Sequence, residues 1–142
     1  MKVLTIIGAR PQFVKAAVVS NALRKNEITE FLLHTGQHFD DNMSDIFFEE
    51  MGMVRPQVNL EISGGTHGAM TGEMLIEVEK LVLEQKPDWV LVYGDTNSTL
   101  AGSLAASKMN VPCAHVEAGL RSDNRNMPEE INRILTDHAS DL

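Results

Sequence analysis

The sequence has few cysteines, few basic residues and no long apolar run, which are the features of several large protein classes. Cys113 is the one cysteine among 142 residues, which excludes an internal disulfide and a cysteine-built zinc site. The chain carries 12 basic and 20 acidic residues, a net charge of −8. That balance argues against a nucleic-acid partner, because such proteins usually present a basic face. The apolar runs are as short as strands, well below the roughly 20 residues that a membrane helix needs.

What is present is typical of one globular domain. Hydrophobic residues make up 43% of the chain and charged residues 23%, and a chain of this size can bury a substantial core. No basic leader precedes an apolar stretch at the start of the sequence. We therefore expect a cytoplasmic protein that has no contact with a membrane.

Segments typical of strands and of helices alternate along the chain. Short runs rich in β-branched residues predict strands, and apolar residues at helical spacing predict helices. The predicted strands are residues 2–8, 29–35, 58–62, 89–93 and 111–116. The predicted helices are residues 11–25, 43–51, 70–85, 96–109 and 128–140, with loops at 63–68 and 120–127. This alternation predicts an α/β fold, a Rossmann-like parallel sheet with helices on both faces.

Polar and charged residues follow most of the predicted strands. In such sheets, ligands bind beyond the carboxyl ends of the strands. In the common strand order 3-2-1-4-5, strands one, four and five are neighbours, so Arg10, Asp95 and Glu117 would converge on one crevice. The candidate residues near strand ends are Arg10, Lys15, Gln37, His38, Asp95, Glu117 and Arg121, and Glu130 opens the last helix.

These residue types suit the chemistry of an anionic substrate. Arg10 and Lys15 supply positive charge near a helix N-terminus, where free N–H groups already favour anions. Asp95 and Glu117 are carboxylates that could transfer protons, and Glu130 could bring a third. Several carboxylates and cations in one cleft predict proton transfer at a carbon or at a leaving oxygen.

The same residues have structural interpretations that the sequence leaves open. Asp95 could simply cap the helix that follows it. Glu130 could serve the dipole of its own helix. Lys15 and Arg10 could be solvated surface residues, and His115 could be a structural histidine with satisfied hydrogen bonds.

Two familiar kinds of site are not indicated. The first strand is followed by neither a G-x-G-x-x-G nor a P-loop, so those dinucleotide and ATP sites lack their signature. The five histidines show no tight ligand spacing. We therefore predict no metal site and no cofactor.

Five segments together resemble one enzyme family. They are GARPQFVKAA (8–17), GQHFDDNM (36–43), VYGDTNSTLAG (92–102), HVEAGLRS (115–122) and MPEEINR (127–133). Their order and approximate spacing are similar to those of the non-hydrolysing UDP-N-acetylglucosamine 2-epimerases.

The resemblance implies a fold and a reaction. Family members have the GT-B arrangement of two Rossmann-like domains, with the active site between them. They remove the proton at C2, eliminate UDP in an anti sense to form a glycal, and add UDP back after protonation on the other face. Neither NAD nor a metal is required. UDP-sugar is the implied partner.

The resemblance also assigns roles to residues of this chain. Asp95, Glu117 and Glu130 match the candidate acid/base groups, although which one is the base stays open. The implied substrate-binding residues are Arg10, Lys15, Gln37, His38 and Arg121.

Family members are more than twice as long as this chain. We therefore expect residues 1–142 to be a single N-terminal domain, truncated and without the C-terminal UDP-binding domain. We expect this chain to be inactive alone and the full-length enzyme to be a homodimer.

The substrate and the reaction class have alternatives. The segments GARPQF and NRNMPEEINRILTDHASDL look closer to a subgroup that acts on UDP-2,3-diacetamido-2,3-dideoxyglucuronate. A GT-B glycosyltransferase would share the fold and the UDP-sugar, and a non-catalytic nucleotide-sugar-binding module is a further alternative.

Overall fold

The computed structural model describes residues 1–37 and 45–142, and the strands in these ranges form one parallel sheet. The strands are β1 (Lys2–Ile7), β2 (Thr29–His34), β3 (Val58–Asn59), β4 (Trp89–Tyr93) and β5 (Cys113–Val116). The helices are α1 (Arg10–Lys25), α2 (Asp45–Glu50), α3 (His67–Gln85), α4 (Asn97–Lys108) and α5 (Pro128–Ala139). The strand order is β3-β2-β1-β4-β5. The predicted fold class and strand order are confirmed.

Each face of the sheet packs against its own group of helices. On one face, Leu4, Ile6 and Val92 pack with Val78 and Val82 of α3 and with small residues of α4. The close approach of α4 is visible at Gly102, where an added Cβ would lie 2.8 Å from side-chain atoms of Ile6 and Val92.

The opposite face is covered by α1 and α2. Val3, Ile7 and Tyr93 of the sheet pack there against Phe13 of α1 and Phe48 of α2. The strands are therefore buried on both sides, which explains why they read as continuous apolar runs rather than as alternating ones.

Two predicted boundaries of α3 and β3 were wrong. The glycine-rich loop ends earlier than predicted, because Thr66 caps α3 by accepting a hydrogen bond from the backbone N–H of Ala69 at 3.3 Å. His67 and Gly68 therefore belong to the helix. The third strand stops at Asn59, whose side chain accepts a hydrogen bond from the backbone N–H of Glu61 and so turns the chain.

The remaining boundaries in the described ranges agree with the prediction or differ from it by one or two residues. β5 begins at Cys113, after Pro112, which has no N–H to offer to the ladder. α2 spans Asp45–Glu50, and the first two residues of its predicted range, 43 and 44, lie outside the described residues. Beyond α5, Asp141 and Leu142 form backbone hydrogen bonds with Cys113 and His115 along the edge of β5. Within the described ranges, no helix is both long enough and apolar enough to cross a membrane.

Candidate active site

The ends of β1 and β4 meet at the point where the strand order reverses. One side chain joins them, that of Gln12 in the first turn of α1. Its Oε1 accepts hydrogen bonds from the backbone N–H of Gly8 at 2.7 Å and of Ala9 at 3.2 Å. Its Nε2 donates to the carbonyl of Tyr93 at 2.8 Å. Gln12 is buried, so it fixes the crevice in which ligands of doubly wound sheets bind.

Glu117 and Lys15 meet at this carboxyl edge of the sheet, where the strands end. Glu117 directly follows β5 and forms an ion pair with Lys15, from the second turn of α1. Both side chains keep substantial exposure, 35% and 46%. Glu117 also has a left-handed backbone, with φ of +68°, a conformation that costs energy outside glycine. The structure thus brings Lys15 of the first motif to the end of the fifth strand.

Arg10, at the start of α1, occupies the neighbouring surface. Its guanidinium lies 5.2 Å from the centre of the Phe47 ring, close enough for a cation–π interaction. Arg10 is exposed and so is accessible to an anionic ligand from solvent.

Asp95 and Glu130 are joined by Arg133. Arg133 Nε donates to Asp95 Oδ2 at 3.0 Å, and Arg133 Nη1 donates to Glu130 Oε1 at 2.8 Å. Asn132 adds a hydrogen bond to the backbone carbonyl of Asp95 at 3.0 Å. The helix-capping role considered for Asp95 is not observed, because Thr96 caps α4 through the backbone N–H of Thr99. The Asp95 side chain stays 38% exposed toward the crevice.

Glu130 is buried, and its contacts explain how a carboxylate is tolerated there. Its oxygens accept hydrogen bonds from the backbone N–H of Ser122 at 3.0 Å and of Asp123 at 2.6 Å. Burial by itself would raise the pKa of Glu130, but these hydrogen bonds and the nearby Arg133 outweigh it and hold the pKa below its ordinary value. Glu130 therefore anchors the loop that follows Glu117, beyond any role in the dipole of α5.

Arg121 and His115 meet at Asp137 of α5. Arg121 Nη1 donates to Asp137 Oδ2 at 2.7 Å, and His115 Nδ1 lies 2.7 Å from Asp137 Oδ1. The backbone N–H of Gly119 adds a hydrogen bond at 3.1 Å. Burial works to raise the pKa of Asp137, but the bonds from Arg121 and His115 lower it further than burial raises it.

Gln37, which follows β2, contacts the start of α4. Its Oε1 accepts hydrogen bonds from the backbone N–H of Ser98 at 3.0 Å and from Ser98 Oγ at 2.7 Å. The contact ties the end of β2 to the first turn of α4. His38, the other predicted substrate-binding residue of this segment, lies outside the described residues.

A small pocket opens beside Asp95. Its volume is about 160 Å³, and pockets for drug-sized ligands measure roughly 300–1,000 Å³, so it can hold only part of a nucleotide sugar. Its walls come from the first turns of α3, α4 and α5. The lining residues are Gln37, His67, Met70, Asp95, Thr96, Asn97, Pro128, Glu129 and Asn132.

Comparison with known proteins assigns this arrangement to a family. The sequence model of the family described as UDP-N-acetylglucosamine 2-epimerase matches residues 21–142. The chain belongs to the UDP-N-acetylglucosamine 2-epimerase family. The predicted resemblance is therefore confirmed.

Individual epimerase-family relatives are similar over the whole chain. The UDP-2,3-diacetamido-2,3-dideoxy-D-glucuronate 2-epimerase of Pseudomonas aeruginosa is 66% identical and is matched over 100% of this chain and 40% of its own length. The crystal structure of the Methanocaldococcus jannaschii UDP-GlcNAc 2-epimerase, in complex with UDP-GlcNAc and UDP, superposes with a TM-score of 0.93 at 56% identity. It is matched over 99% of this chain and 39% of its own.

A more distant likeness supports the GT-B type of fold alone. MurG of Acinetobacter baumannii superposes with a TM-score of 0.58 at 16% identity. The chain spans about 40% of the length of the curated epimerase relatives reported above.

Sequence reasoning missed four residues whose side chains hold the candidate active site together: Gln12, Asn132, Arg133 and Asp137. Arg133 follows Glu130 by three positions and Asp137 follows Arg133 by four, which places all three on one face of α5. Charged residues at that spacing were the signal available in this helix, whose other positions are both apolar and polar. Gln12 had no comparable signal, because one polar residue in a first helical turn is ordinary.

Proposed function

We propose that this chain supplies the N-terminal domain of an enzyme that inverts C2 of a UDP-2-acetamido sugar. The observation that carries the proposal is the pairing at neighbouring strand ends. Glu117 after β5 is held by Lys15, and Asp95 after β4 is held by Arg133. Two oriented carboxylates beside cations suit a reaction that moves protons on an anionic substrate.

The proposed reaction needs two proton-transfer groups. A carboxylate removes the proton from C2, the C1–O bond to UDP breaks, and a C1=C2 double bond forms. A carboxylic acid then protonates C2 from the opposite face, and the UDP oxygen bonds to C1 again. Because the proton leaves one face and returns on the other, two groups in different positions serve better than one. Asp95 and Glu117 are the proposed pair.

Glu130 is the third proposed catalytic residue, and its contacts suggest how it contributes. Its oxygens are occupied by Ser122, Asp123 and Arg133. It orients Arg133, which in turn orients Asp95. A proton-transfer step at Glu130 itself requires the substrate to displace one of these bonds.

The cations and the amide provide the proposed substrate contacts. Arg10 and Lys15, beside the start of α1, are placed to receive the diphosphate. Arg121 is held by Asp137 on the loop after β5. Gln37 and His38 complete the proposed set, Gln37 through its position at the start of α4.

Two relatives support different substrates for the same reaction. The relative from P. aeruginosa, 66% identical, is named for the diacetamido glucuronate sugar. The relative from M. jannaschii, 56% identical, is named for UDP-N-acetylglucosamine. We propose C2 inversion in either case and keep the diacetamido glucuronate sugar as the second candidate substrate.

The residues described here make one wall of the proposed active site. The pocket beside Asp95 is too small for a whole nucleotide sugar, and the relatives extend well beyond the matched segment. We therefore propose that the UDP moiety is enclosed by a second domain and that residues 1–142 alone do not turn over substrate. We also propose, from the family resemblance, that the complete enzyme is a cytoplasmic homodimer, which light scattering and cell fractionation would test.

The activity is tested with a chimera, in which residues 1–142 replace the matched segment of the P. aeruginosa relative. The chimera, the parent enzyme and the chain alone are each incubated with both UDP-sugars, and products are followed by proton NMR. We expect the C2 epimer from the chimera and the parent, and no product from the chain alone. Free sugar in place of a UDP-linked epimer would point to hydrolysis. A folded chimera that is inactive beside an active parent would contradict the proposal.

A further inference from the structure

His115 of β5 makes an unusual pair of contacts. Its ring is buried, and both ring nitrogens face hydrogen-bond acceptors. Nδ1 lies 2.7 Å from Asp137 Oδ1, and Nε2 lies 2.6 Å from the backbone carbonyl oxygen of Gly94. A carbonyl oxygen can only accept, and so can an ionised carboxylate. In either neutral tautomer, one nitrogen lone pair would point at an acceptor oxygen at close range. A ring protonated on both nitrogens satisfies both contacts.

The partner carboxylate extends this contact to the next loop. The second oxygen of Asp137 accepts from Arg121 Nη1 at 2.7 Å and from the backbone N–H of Gly119 at 3.1 Å. With a doubly protonated ring, the groups would alternate in charge, from the ring through the carboxylate to the guanidinium. Alternation of this kind lets a buried cation persist, because the carboxylate lies between the two positive groups.

The network is attached to the backbone on either side of the two carboxylates of the proposed reaction. Gly94 immediately precedes Asp95, His115 lies two residues before Glu117, and Gly119 lies two residues after it. The ring of His115 thus fastens the end of β4, while Asp137 fastens the turn beyond β5. Displacing either attachment would change the separation of Asp95 and Glu117, the quantity that matters for two groups acting on one carbon.

We propose that His115 and Asp137 are positioning residues, and that an imidazolium at His115 sets the placement of Asp95 relative to Glu117. Their effect on turnover rests on the proposed epimerase function, whereas the doubly protonated ring does not. Neither residue touches the substrate in this account. They act through Gly94 and Gly119 on the two groups that do.

The protonation state is tested on this chain by long-range ¹H–¹⁵N NMR of the imidazole rings at neutral pH. This spectrum distinguishes an imidazolium from the two neutral tautomers. We expect one ring with both nitrogens protonated, and we expect that signal to disappear in His115→Gln. The matched control is His138→Gln, which alters an exposed histidine on α5 and should leave the signal in place. A neutral tautomer at His115 would overturn the proposal.

The positioning role is tested in the chimera by kinetics. We expect His115→Gln and Asp137→Asn each to lower kcat by about 10- to 100-fold, because small displacements of reacting groups are that costly. KM for the UDP-sugar should change little in His115→Gln, since His115 holds no proposed substrate contact. In Asp137→Asn the loss in kcat should come with a rise in KM, because Asp137 also holds the proposed substrate-binding Arg121. Asp141→Asn is the matched control, because Asp141 accepts a bond from the backbone of Cys113 outside this network.

The outcomes separate the two proposals. An unchanged kcat in Asp137→Asn, whose shape is conserved, would overturn the positioning role even if His115→Gln failed to fold. A rise in KM alone in His115→Gln would overturn it as well. An inactive wild-type chimera would instead contradict the epimerase proposal and leave the NMR result to decide the state of His115.

Discussion

Lys15 of α1 and Glu117 after β5 form an ion pair across the carboxyl edge of the sheet. The carboxylate reaches this position from a left-handed backbone, with φ of +68° at Glu117. Strain of this kind persists where the surrounding structure enforces it, and it is concentrated at functional sites. Positive φ also occurs at five other described residues besides glycine, so a functional cause at Glu117 is a hypothesis that a paired measurement of stability and activity tests.

Glu117→Gly should separate stability from activity. Glycine removes a backbone cost of roughly 1–2 kcal/mol, while the lost ion pair, half exposed, is worth under about 1 kcal/mol. We expect chemical denaturation to show a variant at least as stable as the wild type, and we expect the chimera that carries it to lose epimerase activity.

Lys86→Gly is the matched control for that variant. Lys86 ends α3 with φ of +48° and lies outside the site. It should gain stability with activity unchanged. The account would be contradicted if Glu117→Gly unfolded at a clearly lower denaturant concentration than the wild type while Lys86→Gly did not. The left-handed backbone at Glu117 would then not destabilise the folded chain.

Arg133→Lys should reduce activity although it conserves charge. Arg133 uses two different nitrogens to hold Asp95 and Glu130, and a single ammonium cannot reproduce that fork. We expect the chimera to lose roughly tenfold or more in kcat, because Asp95 is no longer oriented. Arg125→Lys, on the exposed part of the preceding loop, should behave as the wild type. Equal activity of both variants would show that Arg133 acts only as a charge.

Gly8→Ala should destabilise the chain. An added Cβ would lie 2.2 Å from Ser98 Oγ and 2.6 Å from Thr35 Oγ1, so the backbone or these side chains must move. We expect a loss of about 1–3 kcal/mol in the free energy of unfolding. Gly72→Ala is the control, because open space surrounds that helical position and alanine should add about 0.5–1 kcal/mol. Denaturation curves of both variants should move in opposite directions, and a shared direction would refute the close packing at Gly8.

The free energy of unfolding should fall in acid, because two carboxylates become protonated. The pKa values of Glu130 and Asp137 are lowered in the folded chain. A lowered pKa contributes stability that is complete above the unfolded value, about 4, and is lost as the pH falls through the folded value. We expect Glu130→Gln and Asp137→Asn to be less stable at neutral pH and to lose less on acidification. Unchanged acid sensitivity in both, measured by thermal unfolding across pH, would contradict this account.

The sheet could be predicted from the sequence because its signals are local and redundant. The run that became β4 is apolar throughout, and the run that became β1 is largely apolar, as is typical of strands buried on both faces. Strand ends then indicated which residues share the carboxyl edge. That reasoning predicted that Arg10, Asp95 and Glu117 converge on one crevice. The structure shows Glu117 paired with Lys15 and Asp95 paired with Arg133, and neither pairing was predicted.

The inner network could not be predicted, because it depends on which way polar side chains point. His115 could have been any satisfied histidine, and its two acceptors come from residues 21 positions before it and 22 after it. The early start of α3 was missed because the capping hydroxyl of Thr66 lies inside a glycine-rich segment that is typical of loops. Such contacts are set by tertiary packing.

The most direct test of the central claim is deuterium incorporation at C2. The chimera is incubated with the UDP-sugar in D₂O, as the wild type, as Asp95→Asn, as Glu117→Gln and as the control Glu84→Gln, which alters an exposed residue of α3 away from the site. The account predicts exchange at C2 in the wild type and the control, with exchange or epimer formation strongly reduced in the other two. Full exchange and full epimer formation in both Asp95→Asn and Glu117→Gln would show that these carboxylates do not move the proton.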